Sequence, residues 1–217
     1  MKLKVIITGV TGMVGEGVLH ECVLHPDVSE ILAISRKPCA YKHSKIKEIV
    51  HKDFLDITSI QEQLKGYDAC FFCLGVSSIG MNEGDYTRLT HTLTMHFAEV
   101  LSKQRPNLTF CYVSGASTDS SEEGRSMWAR VKGKTENDLI KLFSKAYMFR
   151  PGYMHPTPGL RNVNKFYKYV TWLYPVFRYV LGKGSTLKEL GLAMIHAASR
   201  GYDKKILEVK DIIKLAK

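Results

Sequence analysis

Val5-Ile6-Ile7 runs directly into Thr8-Gly9-Val10-Thr11-Gly12-Met13-Val14-Gly15, and this junction constrains the fold more than any other stretch of the chain. A short β-branched apolar run is a buried strand, and Met13 to Leu24 has helical composition. Three glycines spaced three apart therefore sit at a strand–loop–helix corner close to the start of the chain. Each has its own physical reason in a dinucleotide site. Gly9 allows the tight turn out of the strand, Gly12 lets the backbone approach a pyrophosphate, and Gly15 lets the helix pack closely on the sheet. Thr11, Met13 and Val14 belong to the same loop and first helical turn, whose unpaired N–H groups and dipole face bound phosphates. The competing reading is an ordinary strand–helix corner. The strand–helix units that follow favour the nucleotide site.

Those units continue along the chain. Glu30 to Ser35 reads as a second strand, Lys47 to Asp53 as a short third, and Ser59 to Lys65 as a short helix. Tyr67 to Gly75 is a largely apolar run ending in glycine, as expected of a strand covered on both faces. Glu83 to Lys103 has helical spacing and stops before Pro106; Asn107 to Ser114 is a strand, Arg125 to Lys145 a helix, and Ala146 to Arg150 a sixth strand before Pro151-Gly152. Alternation at this spacing requires right-handed parallel crossovers. The expected fold is α/β: a Rossmann-type, doubly wound parallel sheet, in one domain over residues 1–217. Residues 151–217 are expected to form a short, helical, aromatic-rich cover on the substrate side.

Composition narrows the function classes. With 217 residues and 45% apolar side chains, the chain suits one soluble α/β domain. The N-terminal apolar run is interrupted by Gly9, Gly12, Gly15 and Glu16 and has no signal-peptide cleavage pattern, so a cytoplasmic location is expected. No run approaches a membrane span. Cys22, Cys39, Cys70, Cys73 and Cys111 are an odd set without framework spacing. Cys70 and Cys73 have redox-pair spacing, but residues three apart on a strand face opposite sides, so core thiols are expected. The eight histidines form no ligand-like cluster, and no metal is expected.

The net charge of +10 is uneven: residues 1–160 carry 19 basic and 17 acidic side chains, residues 161–217 carry 12 and 4. The surplus coincides with an aromatic stretch, residues 162–182, in which Lys165, Lys168 and Arg178 are interleaved. A substrate lid, a homodimer contact and a membrane-surface segment all remain open for it. Nucleic-acid stacking lacks any recognisable module.

With these elements in place, the sequence resembles atypical short-chain dehydrogenases/reductases. It is similar to NAD(P)-dependent epimerase/dehydratase-like proteins, and particularly to their short Tat-interacting-protein-like oxidoreductase branch. The resemblance covers roughly residues 3–160. It rests on T-G-V-T-G-M-V-G (8–15), C-L-G (73–75), the strand ending Tyr112-Val113-Ser114, V-K-G-K-T-E (131–136) and R-P-G (150–152). It implies that Asp53 and Phe54 flank the adenine, and that Cys73, Leu74 and Gly75 run along the ribose and pyrophosphate.

Cofactor choice follows from charge at the end of the second strand. NAD-preferring sites place a carboxylate there for the ribose 2′-OH. This chain has Ser35-Arg36-Lys37, a hydroxyl and two cations suited to a 2′-phosphate. NADP is therefore expected, with NAD as the alternative and a solvated basic loop as the bland reading.

The family reaction uses a tyrosine and a lysine four residues apart on the helix after the fifth strand, with a serine at the strand end. Here the helix reads Trp128-Ala129-Arg130-Val131-Lys132, so the lysine matches and the tyrosine is tryptophan. Indole N–H has no usable acidity, so Trp128 cannot relay a proton. Lys132 should still bind cofactor, Ser114 or Ser117 fits the serine role, and Tyr153 or His155 is the candidate replacement acid, each also readable as a structural loop residue. Two functions stay open: an oxidoreductase or epimerase-like enzyme on a small substrate with an altered proton donor, and a non-catalytic NADP(H)-binding sensor or regulatory protein.

Overall fold

In the computed structural model, which describes residues 2–163 and 171–217, seven parallel strands form one sheet. β1 (Leu3–Thr8), β2 (Val28–Ser35), β3 (Ile46–Val50), β4 (Ala69–Phe72), β5 (Thr109–Val113), β6 (Ala146–Arg150) and β9 (Ile206–Glu208) lie in the order β3-β2-β1-β4-β5-β6-β9. The order reverses between β1 and β4, the place where an open α/β sheet leaves a crevice at its carboxyl edge.

Period-two alternation assigns the side chains to two cores. Val5, Ile7, Ala33, Phe71 and Phe149 face α1 (Met13–Leu24) on one side. Ile6, Leu32, Ile34, Phe72 and Phe110 face α3 (Leu93–Gln104) and α4 (Met127–Leu142) on the other. Burial on both faces explains why the strands read as continuous apolar runs. Cys70 falls into the second core and Cys73 packs against the first, on opposite sides as the strand argument requires.

Local chemistry explains the departures from the sequence reading. The third strand ends at Val50 because Asp53 Oδ1 accepts from the Leu55 amide at 2.9 Å and turns the chain. The expected helix over 59–65 is a tighter 3₁₀ segment, Thr58–Leu64, opened by Asp56 accepting from the Thr58 amide. The long helix before β5 begins as α2 (Glu83–Thr87), capped by Asn82, and widens into a π turn at Arg88–Thr92 before α3.

The C-terminal segment does more than cover. β7 (Tyr153–His155) and β8 (Gly184–Thr186) form a small parallel pair. α5 (Leu187–Arg200) starts at a capping box between Thr186 and Glu189 and packs on α1. β9 extends the main sheet beside β6, and α6 (Val209–Leu215) follows it. Leu190, Met194, Leu207 and Ile212 thereby share the core of β1 and α1. These elements lay beyond the sequence expectation of a simple cover, and residues 164–170 of the aromatic stretch lie outside the described residues.

Candidate functional site

A cleft of about 350 Å³ opens at the carboxyl edge where the strand order reverses. Gly12, Met13 and Val14 line one side, Cys73, Leu74, Gly75 and Val76 the floor, and Gly115, Lys132 and Met154 the far end. A second hollow of about 130 Å³ adjoins it, with Leu74 and Val76 lining both. Its other walls include Arg36, Lys52, Asp53, Phe54 and Leu89.

The three glycines have different reasons to be glycine. Gly9 has φ +73°, and a Cβ there would lie 2.7 Å from the Cys73 carbonyl oxygen. A Cβ on Gly15 would lie 2.2 Å from the Gly9 carbonyl oxygen, so close helix–loop packing excludes any side chain. Gly12 is different. A Cβ would meet only the Gly9 carbonyl oxygen, at an ordinary 3.5 Å, and would project beside the cleft. The protein's own packing leaves that space open.

At the far end, α4 carries Lys132 and Glu136 one turn apart, hence on one face. Lys132 Nζ donates to the Ser114 carbonyl at the end of β5. Burial lowers its pKa to about 8, against an opposing pull from Glu136. Glu136 is fully buried and accepts from Arg150 Nε at 3.0 Å and from Arg150 Nη2. Arg150 also reaches Ser120 and Glu208. Ser114 Oγ donates into the same carboxylate, with the Phe149 carbonyl 3.1 Å away. One buried ion pair thus fixes the strand end, the serine hydroxyl and the helix face that presents Lys132. Gly133 permits this approach, since a Cβ there would collide with the Asp119 carbonyl oxygen.

The structure brings Gly12, Met13, Val14, Cys73, Leu74, Gly75, Ser114 and Lys132 to one cleft, and Arg36, Asp53 and Phe54 to the adjoining hollow. Thr11 is exposed at the rim of the glycine loop. Ser35 is buried and donates to the Lys37 carbonyl at 2.6 Å, so its hydroxyl holds the loop, and Arg36 rather than Lys37 lines the hollow. Ser117 lines a separate depression with Lys183 and Lys210.

Alternation along β7 turns Met154 into the cleft and sends Tyr153 and His155 the other way. Tyr153 stacks on Phe177 at 5.1 Å, and His155 packs on Tyr174 at 4.5 Å. Trp128 lies against Gly115, its Cζ3 4.0 Å from where a Cβ would stand. Cys73 sits on the cleft floor with its thiol pushed up to about 12 by burial. Among the described residues no group of three or more His, Cys, Asp or Glu side chains could hold a metal ion.

Sequence reasoning missed Lys52 and Leu89 in the hollow, and the bond from the Leu74 amide to Thr8 Oγ1 at 3.3 Å that ties the β1 and β4 ends together. Lys52, directly before Asp53, carried a usable signal as a cation just past the third strand, whose end pairs beside that of the second. Leu89 carried none, because its direction depends on the π turn.

Comparison with known proteins agrees with this architecture. The chain is 27% identical over 158 residues to "Protein FMP52, mitochondrial" of Meyerozyma guilliermondii, a match covering 70% of this chain and 65% of that protein. It is 27% identical over 161 residues to "Protein fmp52-1, mitochondrial" of Aspergillus terreus, covering 71% and 68%. The match thus spans about two thirds of the length of these curated relatives. Their names overturn the expected cytoplasmic location, which rested on the lack of a signal-peptide pattern and of a membrane-span-length run and on unpaired cysteines.

Among solved structures, the Helicobacter pylori ADP-L-glycero-D-manno-heptose-6-epimerase superimposes with a TM-score of 0.68 at 15% identity, covering 100% of this chain and 81% of that one. The Bordetella bronchiseptica enzyme WbmF in complex with NAD+ gives 0.67 at 14% identity, covering 99% and 76%. At these identities the likeness shows the fold alone. The model of the NAD dependent epimerase/dehydratase family matches residues 5–126, more than half of the chain, and the chain belongs to that family.

Proposed function

We propose that this protein binds NADP(H) along the cleft and hollow and acts as an oxidoreductase or epimerase-like enzyme on a small substrate. In this reading Lys132 moves the proton that the family's tyrosine would move. The observation that carries the reading is the pair of adjoining hollows, one lined by the glycine loop and Lys132 and the other by two cations, Arg36 and Lys52. The unfilled space beside Gly12 suits a pyrophosphate, and Arg36 and Lys52 against one carboxylate, Asp53, favour a 2′-phosphate.

When bound, the nicotinamide supplies or accepts a hydride. The chain's own residues must then bind, orient and move a proton. Cys73 and Lys132 are the ionisable groups among the cleft-lining residues, and the two differ in how they suit neutral pH. Cys73, at about 12, holds its proton too tightly, whereas Lys132, at about 8, can give and take one. Ser114 Oγ is committed to Glu136, so it acts by holding the strand end. The relatives' mitochondrial names support a mitochondrial association.

A second reading, an NADP(H)-binding sensor without turnover, is favoured by one observation: Trp128 occupies the tyrosine position and lies over Gly115. Deuterium transfer from labelled NADPH to a panel of small aldehydes and ketones separates the two. The enzyme reading expects transfer that is lost in Lys132→Met and raised by Trp128→Tyr, general acid–base catalysis being worth about 10²–10⁴-fold. Tight NADPH binding with no transfer in wild type, and none in Trp128→Tyr, would leave the sensor.

A further inference from the structure

Eight large apolar side chains are strongly exposed among the described residues, and five of them fall within ten positions. Leu24, Val50 and Ile79 are scattered singly, which is ordinary for a surface. Trp172 (75% exposed), Val176, Tyr179 (81%), Val180 (75%) and Leu181 (52%) fall on one short stretch of chain, interleaved with half-buried residues. A concentration of this kind marks an interaction surface.

The run is two-sided. Its inner face is held in place: Phe177 and Tyr174 pack on Tyr153, and Arg178 is clamped by both carboxylate oxygens of Glu189, at 2.6 and 2.8 Å. The Lys183 amide closes it by donating to the Phe177 carbonyl at 2.8 Å. The outer face is left with a tryptophan, a tyrosine and aliphatic side chains, on a backbone fixed from beneath.

Charge identifies what covers it. From residue 139 to residue 188 the sequence has no aspartate or glutamate and nine lysines and arginines. Arg150 and Arg178 are neutralised by Glu136 and Glu189. Lys183 and Lys188, flanking the run, are exposed and form no ion pair among the described residues. The nearest carboxylates, Glu189 and Glu208, are already paired with Arg178 and Arg150, so an isologous contact with a second copy would set these lysines against a face of the same sign. An anionic bilayer offers the complement: phosphate and carboxylate headgroups for the lysines, the interfacial zone for Trp172 and Tyr179, and the upper acyl region for Val180 and Leu181. No helix among the described residues is long and apolar enough to cross a membrane, so such contact is with a surface.

We infer that the face formed by Trp172, Val176, Tyr179, Val180 and Leu181, with Lys183 and Lys188 beside it, docks the protein on the surface of anionic lipid bilayers. Because β7 joins this face to the cleft through Tyr153 and Met154, docking sets the Met154 end of the cleft on the side of the lipid interface.

The test is co-sedimentation of the full chain with phosphatidylcholine vesicles, with and without phosphatidylserine. Binding is expected only with the anionic lipid, and added salt should weaken it. Trp172→Ser combined with Leu181→Ser, both solvent-exposed and therefore neutral to folding by circular dichroism, should lower partitioning by about tenfold or more, and Lys183→Glu with Lys188→Glu should act similarly. Light scattering in the absence of lipid distinguishes the other occupant. Failure of the folded wild type to bind anionic vesicles overturns the inference, whether the protein is monomeric or forms a dimer that Trp172→Ser and Leu181→Ser dissociate. Binding that is equal on neutral vesicles, or unchanged in both double variants, overturns it as well.

Discussion

Gly12→Val separates a ligand site from a structural corner, because the geometry predicts opposite effects on binding and folding. Gly12 has φ −104° and ψ 162°, ordinary extended backbone for any residue, and its Cβ would find one neighbour at 3.5 Å. The fold should therefore absorb the change, with stability altered by about 1 kcal/mol or less. The valine methyls, however, would stand in the cleft beside Met13 and Val14, where the pyrophosphate is proposed to lie. Losing two charge-assisted backbone contacts at about 1.5–3 kcal/mol each weakens binding by about 10²–10⁴-fold.

Gly15→Ala gives the opposite pattern. Its Cβ would sit 2.2 Å from the Gly9 carbonyl oxygen and 2.9 Å from the Val10 nitrogen, so helix or loop must move, at a cost of about 1–3 kcal/mol or more. Urea unfolding followed by circular dichroism, together with calorimetric titration of NADPH, reads both effects. A folded Gly12→Val variant that binds NADPH within about tenfold of wild type would refute the reasoning. A Gly15→Ala variant as stable as wild type would refute the packing half of it.

Two further perturbations probe the far end of the cleft. Glu136→Ala should destabilise the fold by about 3–5 kcal/mol in urea unfolding, because it strands the buried Arg150 guanidinium and frees Ser114 Oγ; a loss under about 1 kcal/mol would show that the pair is solvated. Lys132→Met should stabilise the protein at neutral pH by on the order of 1 kcal/mol while weakening NADPH binding, since burial disfavours the ammonium. The sign follows from proton counts: between about 8 and the unfolded lysine value near 10.5 the unfolded chain holds the extra proton, so wild-type stability from this group rises with pH across that window. The advantage of Lys132→Met should shrink over the same interval, and a difference that is flat with pH would contradict the lysine's desolvation.

Most of the sheet was readable from residues because a strand buried on both faces has a simple signature. Val5-Ile6-Ile7 and Cys70-Phe71-Phe72 could hardly be anything else, and the glycine corner fixed which edge carries the site. The C-terminal elements were less legible. β9 is three residues long and borrows its register from β6, and β8 exists only by pairing with β7. Strands that short carry almost no periodicity of their own.

Within the site, loop and strand-end residues were found where backbone chemistry demands a residue type, as at Gly9 and Gly15. Directions were harder. The inward turn of Met154, and the outward turns of Tyr153 and His155, depend on where a three-residue strand begins. The pairing of Glu136 with Arg150 joins two motifs, V-K-G-K-T-E and R-P-G, that the sequence presents as unrelated. Only the three-dimensional fold places the α4 carboxylate beneath the end of β6.

On this reading the adjoining hollows lined by Arg36 and by Lys132 together hold NADP(H). Calorimetric titration of the full chain with NADPH and with NADH, in wild type and in Arg36→Ala, tests it most directly. Saturable one-to-one binding is expected, with NADPH clearly tighter than NADH. Arg36→Ala should cost NADPH about 1–3 kcal/mol, the worth of a charge-assisted phosphate contact, and leave NADH nearly unchanged. No binding of either nucleotide, or equal affinities that Arg36→Ala does not alter, would contradict it.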